Sequence, residues 1–253
     1  MRHPITPAVR RDSPELHMDS REKLLEELRN GYRIFAAHGW GDLGDGHISA
    51  RDPERTDCFW MLRYGVSYHA AKVRDMVLVG PDGKLAGGEG FINIAGYYIH
   101  HPILMARPDV VSACHVHTGW GTPFSAEVRP IEPISQESCI FFEDHAIFDD
   151  EEVQIQSVDG GKRIAEALGG NRAVILRNHG LLTVGDGVEE AVGSFVQLER
   201  VAEVHMKARD AKPISPEAAR YAQADFRRFG PGRVAFGSLV RRHVENLEAV
   251  TGD

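Results

Sequence analysis

Two histidines one residue apart, His115-Val116-His117, form the most chemically suggestive pair in the chain. Residues 110–117 alternate apolar and small side chains as a strand does, and on a strand residues i and i+2 face the same side. Two imidazoles at that spacing can address one ion. Neutral imidazole is a common ligand for Zn(II) and also suits Fe(II), Mn(II) and Ni(II). A third ligand is wanted. His179, in Arg177-Asn178-His179-Gly180, is the candidate, because it falls where a buried strand breaks into a glycine-containing turn. Three histidines leave open positions for water and substrate, the pattern of a catalytic rather than a structural site. Taken singly, each motif is equally compatible with ordinary polar or surface histidines. In this order, each beside an apolar strand, they point to a metal.

The elements that must position these residues can be read from the hydrophobic pattern. Leu24, Leu25, Leu28, Tyr32 and Phe35 recur at helical spacing, behind Asp19 and Ser20 as candidate N-caps. A glycine-rich loop follows at residues 39–46. Short strands are expected at residues 47–51, 58–62 and Met76–Val79, then a helix from Ile94 to about Arg107-Pro108. Residues 173–177 and 181–184 read as buried strands on either side of Asn178-His179-Gly180. Residues 188–208 form the clearest helix, with Val188, Val192, Phe195 and Ala202 on one face and Glu199, Arg200 and Glu203 elsewhere. A further helix is expected at 215–228. Strands interleaved with helices give an α/β or α+β layered domain. The expected organisation is a flexible N-terminal arm at 1–18, one domain at 19–210, and a helical extension at 211–253 that packs on this domain or on a neighbouring subunit.

Composition narrows the function classes. A net charge of −8 gives no basic face for nucleic acid or an anionic membrane. No apolar run approaches the roughly 20 residues of a membrane span, and the first residues carry no secretory apolar region. The three cysteines, Cys58, Cys114 and Cys139, form no CxxC pair, which disfavours a disulfide framework and suits a reduced cytoplasmic setting. No GxGxxG follows a strand, so no dinucleotide fingerprint is present.

Several motifs together resemble the class II aldolase/adducin family. They are Gly46-His47-Ile48-Ser49-Ala50-Arg51, Glu89-Gly90 through Asn93-Ile94-Ala95-Gly96-Tyr97-Tyr98-Ile99-His100, and Ala106-Arg107-Pro108-Asp109 leading into His115-Val116-His117-Thr118. Ser135-Gln136 and residues 177–185 complete the series, over roughly residues 20–210. The resemblance implies a three-layer α/β/α sandwich around a mixed, largely antiparallel sheet. It also implies a homotetramer with sites near subunit boundaries. His115, His117 and His179 correspond to the family's three metal ligands, which implies one divalent ion per subunit, with Zn, Mn or Fe as alternatives.

The departures matter as much. Where family aldolases place a catalytic Glu, this chain has Gly96, so their proton relay cannot be carried over. The phosphate-binding segments read Asn93-Ile94-Ala95 and Gly46-His47-Ile48-Ser49, without paired hydroxyls, which argues against a sugar phosphate. Glu137, beside Ser135-Gln136, is a candidate replacement base. Arg177 is a candidate carboxylate clamp, as is Arg51. His47, Gln136 and Asn178 are the expected substrate contacts. Glu89, His69, His100, Tyr97 and His145 are weaker alternatives, more readily explained as surface, core or interface residues.

The functional expectation is a metal-dependent carbon–carbon lyase acting on an unphosphorylated hydroxy-carbonyl compound or carboxylic acid through a metal-stabilised enolate. Loss of the Glu tilts this from aldol cleavage towards decarboxylation, because carbon dioxide leaves without a proton to remove. Two alternatives stand beside it. One is a non-haem iron oxygenase on the same scaffold, and the other is a non-catalytic, adducin-like scaffold protein.

Overall fold

A computed structural model describes residues 20–41 and 43–245. The proposed N-terminal arm and the Asp19 cap lie outside the described residues. Eight strands form one sheet: β1 (Gly46–Arg51), β2 (Phe59–Leu62), β3 (Met76–Val79), β4 (Leu85–Gly87), β5 (Ser112–Val116), β6 (His145–Phe148), β7 (Ala173–Leu176) and β8 (Gly180–Gly185). Their spatial order is β4-β3-β2-β1-β5-β8-β7-β6, and every neighbouring pair is antiparallel except β6 and β7. The seven α-helices among the described residues are α1 (Ser20–Ala37), α2 (Ile94–Ala106), α3 (Gly121–Ala126), α4 (Val158–Leu168), α5 (Val188–Lys207), α6 (Pro216–Arg227) and α7 (Pro231–Val240).

The period-2 alternation of the strands splits the core in two. On β7, Ala173 and Ile175 join the cluster beneath α1 and α5, while Val174 and Leu176 join the cluster beneath α2 and α4. The first cluster contains Leu28, Tyr32 and Phe35 of α1 and Val192, Phe195 and Leu198 of α5. Each such fully buried side chain contributes about 1.5–3 kcal/mol. Helices on both faces of the sheet make the three-layer α/β/α sandwich that the resemblance implies. Tyr32 also locks the layers by hydrogen bonding. Its hydroxyl donates to the Ile48 carbonyl (2.6 Å) and accepts from the amides of Ile48 (3.0 Å) and Leu62 (3.1 Å). Three otherwise orphaned groups between β1 and β2 are thereby satisfied.

Four elements have no counterpart in the sequence reading: β4, β6, α3 and α4. Helix α4 begins Val158-Asp159-Gly160-Gly161, and two glycines weaken helical propensity. A Ser157 hydroxyl accepting from the Gly160 amide (3.2 Å) caps it, and packing explains the glycines. Pro102 of α2 has no N–H for the Tyr98 carbonyl. The backbone of α4 closes onto that carbonyl, where a Cβ on Gly161 would sit 1.8 Å away. The segment after Gly230 also forms a helix, α7, which packs on α5. Helix α6 packs on the 3-10 turn Glu137–Phe141. No described helix is long and apolar enough to cross a membrane.

Candidate metal centre

His115 lies in the middle of β5 with His47 directly opposite on β1. Both point to the α2 face of the sheet, and both are almost fully buried (2% and 3% exposed). His117 continues the alternation one residue beyond β5. His179 is delivered by the tight β7–β8 turn, where Asn178 takes a left-handed conformation (φ 56°) that asparagine tolerates better than most residues. Gly180 follows at φ 152°, and a Cβ there would come 3.2 Å from Cε1 of His115, so glycine keeps the turn clear of the first imidazole.

The three rings face one another with centroids 4.7–5.2 Å apart. One nitrogen from each lies within 4.8 Å of the others. A shared ion at about 2.1 Å would draw them closer still, to about 3.4 Å. The hydrogen bonding fits this use. His115 Nδ1–H donates to the Leu181 carbonyl (2.8 Å), which leaves Nε2 as a bare lone pair. Burial, reinforced by neighbouring imidazoles, holds His115 well below the usual histidine range. It lowers His179 to about 4 in the same way. Neutral rings with free lone pairs are what a divalent ion requires.

His47 stands next to this group, its ring centroid 5.3 Å from that of His115. Its Nδ1 lies 2.9 Å from Nε2 of His100 on α2, and Nδ1 of His100 lies 2.7 Å from the Ser49 hydroxyl. Burial holds His47 well below its usual range and lowers His100 to about 3, so the chain Ser49–His100–His47 is neutral. Gly96 faces the same place. A Cβ on Gly96 would meet Met61 Cε at 2.9 Å and His47 Cγ at 3.1 Å. A glutamate at 96 and the observed His47 would therefore compete for the same space.

The remaining expected residues lie elsewhere. Gln136 and Glu137 line a cavity of about 690 Å³ together with Trp40, Trp120, Arg200 and Glu203, and none of the three clustered histidines is on its wall. His47 lines a smaller cavity of about 300 Å³ with Met61, Tyr64, Tyr68 and Asn93. The larger opening is the less relevant one, because the smaller is lined by His47, whose ring neighbours that of His115. Arg177 pairs with Asp149 (2.8 Å) and Glu151 (3.6 Å). Arg51 is spent on backbone carbonyls, those of Leu104, Thr56, Arg107 and Val110. Asn178 is exposed and forms the turn already described. His145 donates from Nδ1 to Phe141 and accepts the Ile131 amide at Nε2, so it is fully committed. Glu89 and His69 are exposed.

One supporting residue differs from its expected place. Glu199 is buried, not turned away from the core face. Its carboxylate accepts from Thr118 Oγ1 (2.5 Å) and from the amides of Trp120 (2.9 Å) and Gly121 (2.7 Å). It thus clamps the segment that immediately follows His117. Burial still raises its pKa despite these bonds. The signal was present in the sequence, since 199 is four residues from Phe195 and three from Ala202 and shares their face.

Comparison with known proteins agrees with this geometry. Residues 26–206 match the model of the class II aldolase and adducin N-terminal domain. A Streptomyces roseochromogenus protein named 4-hydroxy-3-prenylphenylpyruvate oxygenase/4-hydroxy-3-prenylbenzoate synthase is 38% identical, covering 85% of this chain and 78% of its own. Decarboxylase NovR of Streptomyces niveus is 35% identical, covering 83% and 79%. Among solved structures, the L-fuculose 1-phosphate aldolase of Glaciozyma antarctica PI12 superposes with a TM-score of 0.84 at 32% identity, covering 94% of this chain and 95% of that one. The chain belongs to the class II aldolase and adducin family.

Proposed function

We propose that the protein is a divalent-metal-dependent carbon–carbon lyase of the decarboxylase type, acting on an unphosphorylated carbonyl-bearing acid. The observation that carries this reading is the pairing of three convergent imidazoles with a glycine at position 96. His115, His117 and His179 would hold one Zn, Mn or Fe ion per subunit, which supplies Lewis-acid stabilisation of negative charge developing on a substrate oxygen. Decarboxylation needs no base to begin. The carboxylate carbon leaves as carbon dioxide, the bonding pair becomes the C=C of an enolate whose charge rests on the oxygen of a carbonyl β to the lost carboxylate, and the carbon left behind then takes a proton from water.

His47 supplies the polar contact. In the tautomer in which the Ser49 hydroxyl donates to His100 Nδ1 and His100 Nε2–H donates to His47 Nδ1, the His47 proton resides on Nε2. A neutral imidazole kept from protonating by burial is a fixed hydrogen-bond donor for an oxygen that gains charge. Met61, Tyr64 and Tyr68 of the smaller cavity suit an apolar or aromatic substrate body. The name of one Streptomyces relative supports decarboxylation, and that of the other, a prenylated phenylpyruvate oxygenase, supports an aromatic acid. Within one chain Gln136 and Glu137 stand outside the histidine centre, so the polar work there falls to His47. A homotetramer with sites near subunit boundaries, and a cytoplasmic location, belong to the same proposal.

A second reading, oxidative decarboxylation with iron, is favoured by the oxygenase name of the 38%-identical relative. The two separate cleanly by experiment. Zinc-, manganese- and iron-loaded protein is offered a panel of aromatic 2-oxo, 3-oxo and hydroxy acids with and without oxygen. Carbon dioxide release in the absence of oxygen supports the lyase. Release only with iron and oxygen replaces it by the oxygenase.

A further inference from the structure

Asp45 immediately precedes β1, and its main chain is tied to the metal centre. The His117 amide donates to the Asp45 carbonyl (3.1 Å), adding one rung to the β1–β5 ladder beyond the pair Gly46 and Val116. The two side chains are thereby placed side by side. The carboxylate is not yet engaged. Its Oδ2 lies 4.0 Å from His117 Nδ1, beyond hydrogen-bond reach. Its Oδ1 is buried and has no hydrogen-bond partner among the described residues. A buried carboxylate oxygen without a donor is costly, so this atom calls for one.

The orientation of His117 offers a donor to the other oxygen of this carboxylate, Oδ2. Its Cδ2, bonded to Nε2, is the ring atom nearest the Gly180 position, 3.9 Å from an added Cβ. That edge faces the β7–β8 turn that carries His179, and Nδ1 is the nitrogen on the Asp45 side. His115 has the same division, with Nδ1 held by the Leu181 carbonyl and Nε2 free. The two strand histidines thus differ in one respect: the outer partner of His115 is in place, whereas that of His117 stands about 1 Å too far away for a hydrogen bond.

We propose that Asp45 is a positioning residue for the metal centre, its carboxylate accepting the His117 Nδ1–H when Nε2 of that ring is ligated. The proposal rests on the reading of His115, His117 and His179 as a metal site. No bond is made or broken beyond the hydrogen bond. A turn of the carboxylate about its side-chain bonds closes the distance. Ligation makes the imidazole N–H a stronger donor, and the carboxylate makes Nε2 a better ligand, so each contact strengthens the other. The long contact between Oδ2 and Nδ1 is then one side of a site set for an ion.

The experiment is a zinc titration, by competition with a chelating dye, of metal-free wild type, Asp45→Ala, Asp45→Asn and His115→Ala. Expected are zinc affinities about 10- to 100-fold weaker in Asp45→Ala, partial rescue in Asp45→Asn, which keeps an acceptor oxygen, and near-complete loss in His115→Ala. The unfolding midpoint of metal-free Asp45→Ala should stay at the wild-type value. An affinity within about twofold of wild type in Asp45→Ala overturns the role of Asp45 while leaving the centre intact. Wild type that binds no zinc overturns both readings. If the variants do not fold, wild type gives the answer by NMR. Zinc should produce a slowly exchanging Nδ1 proton on His117 beside the one on His115, and its absence contradicts the proposal.

Discussion

The cavity lined by Gln136 and Glu137 and the one lined by His47 differ in opposite senses. The larger, about 690 Å³, has two tryptophans and several charged groups but no convergence of ligands. The smaller, about 300 Å³, includes His47, which touches a set of neutral, oriented imidazoles. What separates them is how each polar atom is held. Around the histidines the inner ring nitrogens have a partner: His115 Nδ1 on Leu181, His47 Nδ1 on His100, and His100 Nδ1 on Ser49. The lone pairs left over point at one place. Volume indicates where a molecule fits, whereas fixed lone pairs and protons determine where chemistry is possible.

The comparison breaks first at Gly96. Gly96→Glu restores the acid of the aldolases but drives a carboxylate into Met61 and His47. A loss of about 3 kcal/mol or more in chemical denaturation is expected. Wild-type stability in that variant would mean that His47 yields its space readily. Next is His100→Leu, which removes two buried hydrogen bonds and orphans Ser49 Oγ and His47 Nδ1. It should cost about 2–4 kcal/mol while leaving metal content unchanged, because His100 is not a ligand.

A smaller effect comes from pH. Unfolded imidazoles titrate near 6.5, whereas folded His179 sits at about 4 and His100 at about 3. Between those values the unfolded chain binds more protons. Stability of the metal-free protein should therefore fall as pH drops from 6.5 towards 4. Thermal midpoints across that range check the sign, and a flat profile would show that the rings are protonated in the fold. The smallest expected effect lies in the larger cavity. Glu137→Gln should change stability by no more than about 0.5 kcal/mol and leave metal affinity untouched, as equilibrium dialysis would read. A large loss of metal there would erase the distinction between the two cavities.

The legible part of the molecule follows from periodicity. The i, i+2 spacing of His115 and His117 placed them on one strand face, and the apolar runs around Asn178-His179-Gly180 marked the turn. Helices α1, α2, α5 and α6 were equally plain. What escaped depended on tertiary contacts. Helix α4 hides behind Gly160 and Gly161, which only the Tyr98 carbonyl explains. The His47–His100–Ser49 chain joins residues about fifty positions apart. Nor does spacing reveal that Arg177 is paired with Asp149, or that the Asp45 carboxylate lies beside His117.

The central claim is that three histidines hold a metal ion. Elemental analysis of purified wild type beside a His115→Ala/His117→Ala variant tests it most directly. About one Zn, Mn or Fe per wild-type chain and none above background in the variant is the predicted result. Equal and negligible metal in both proteins, even after reconstitution with each ion, would contradict it.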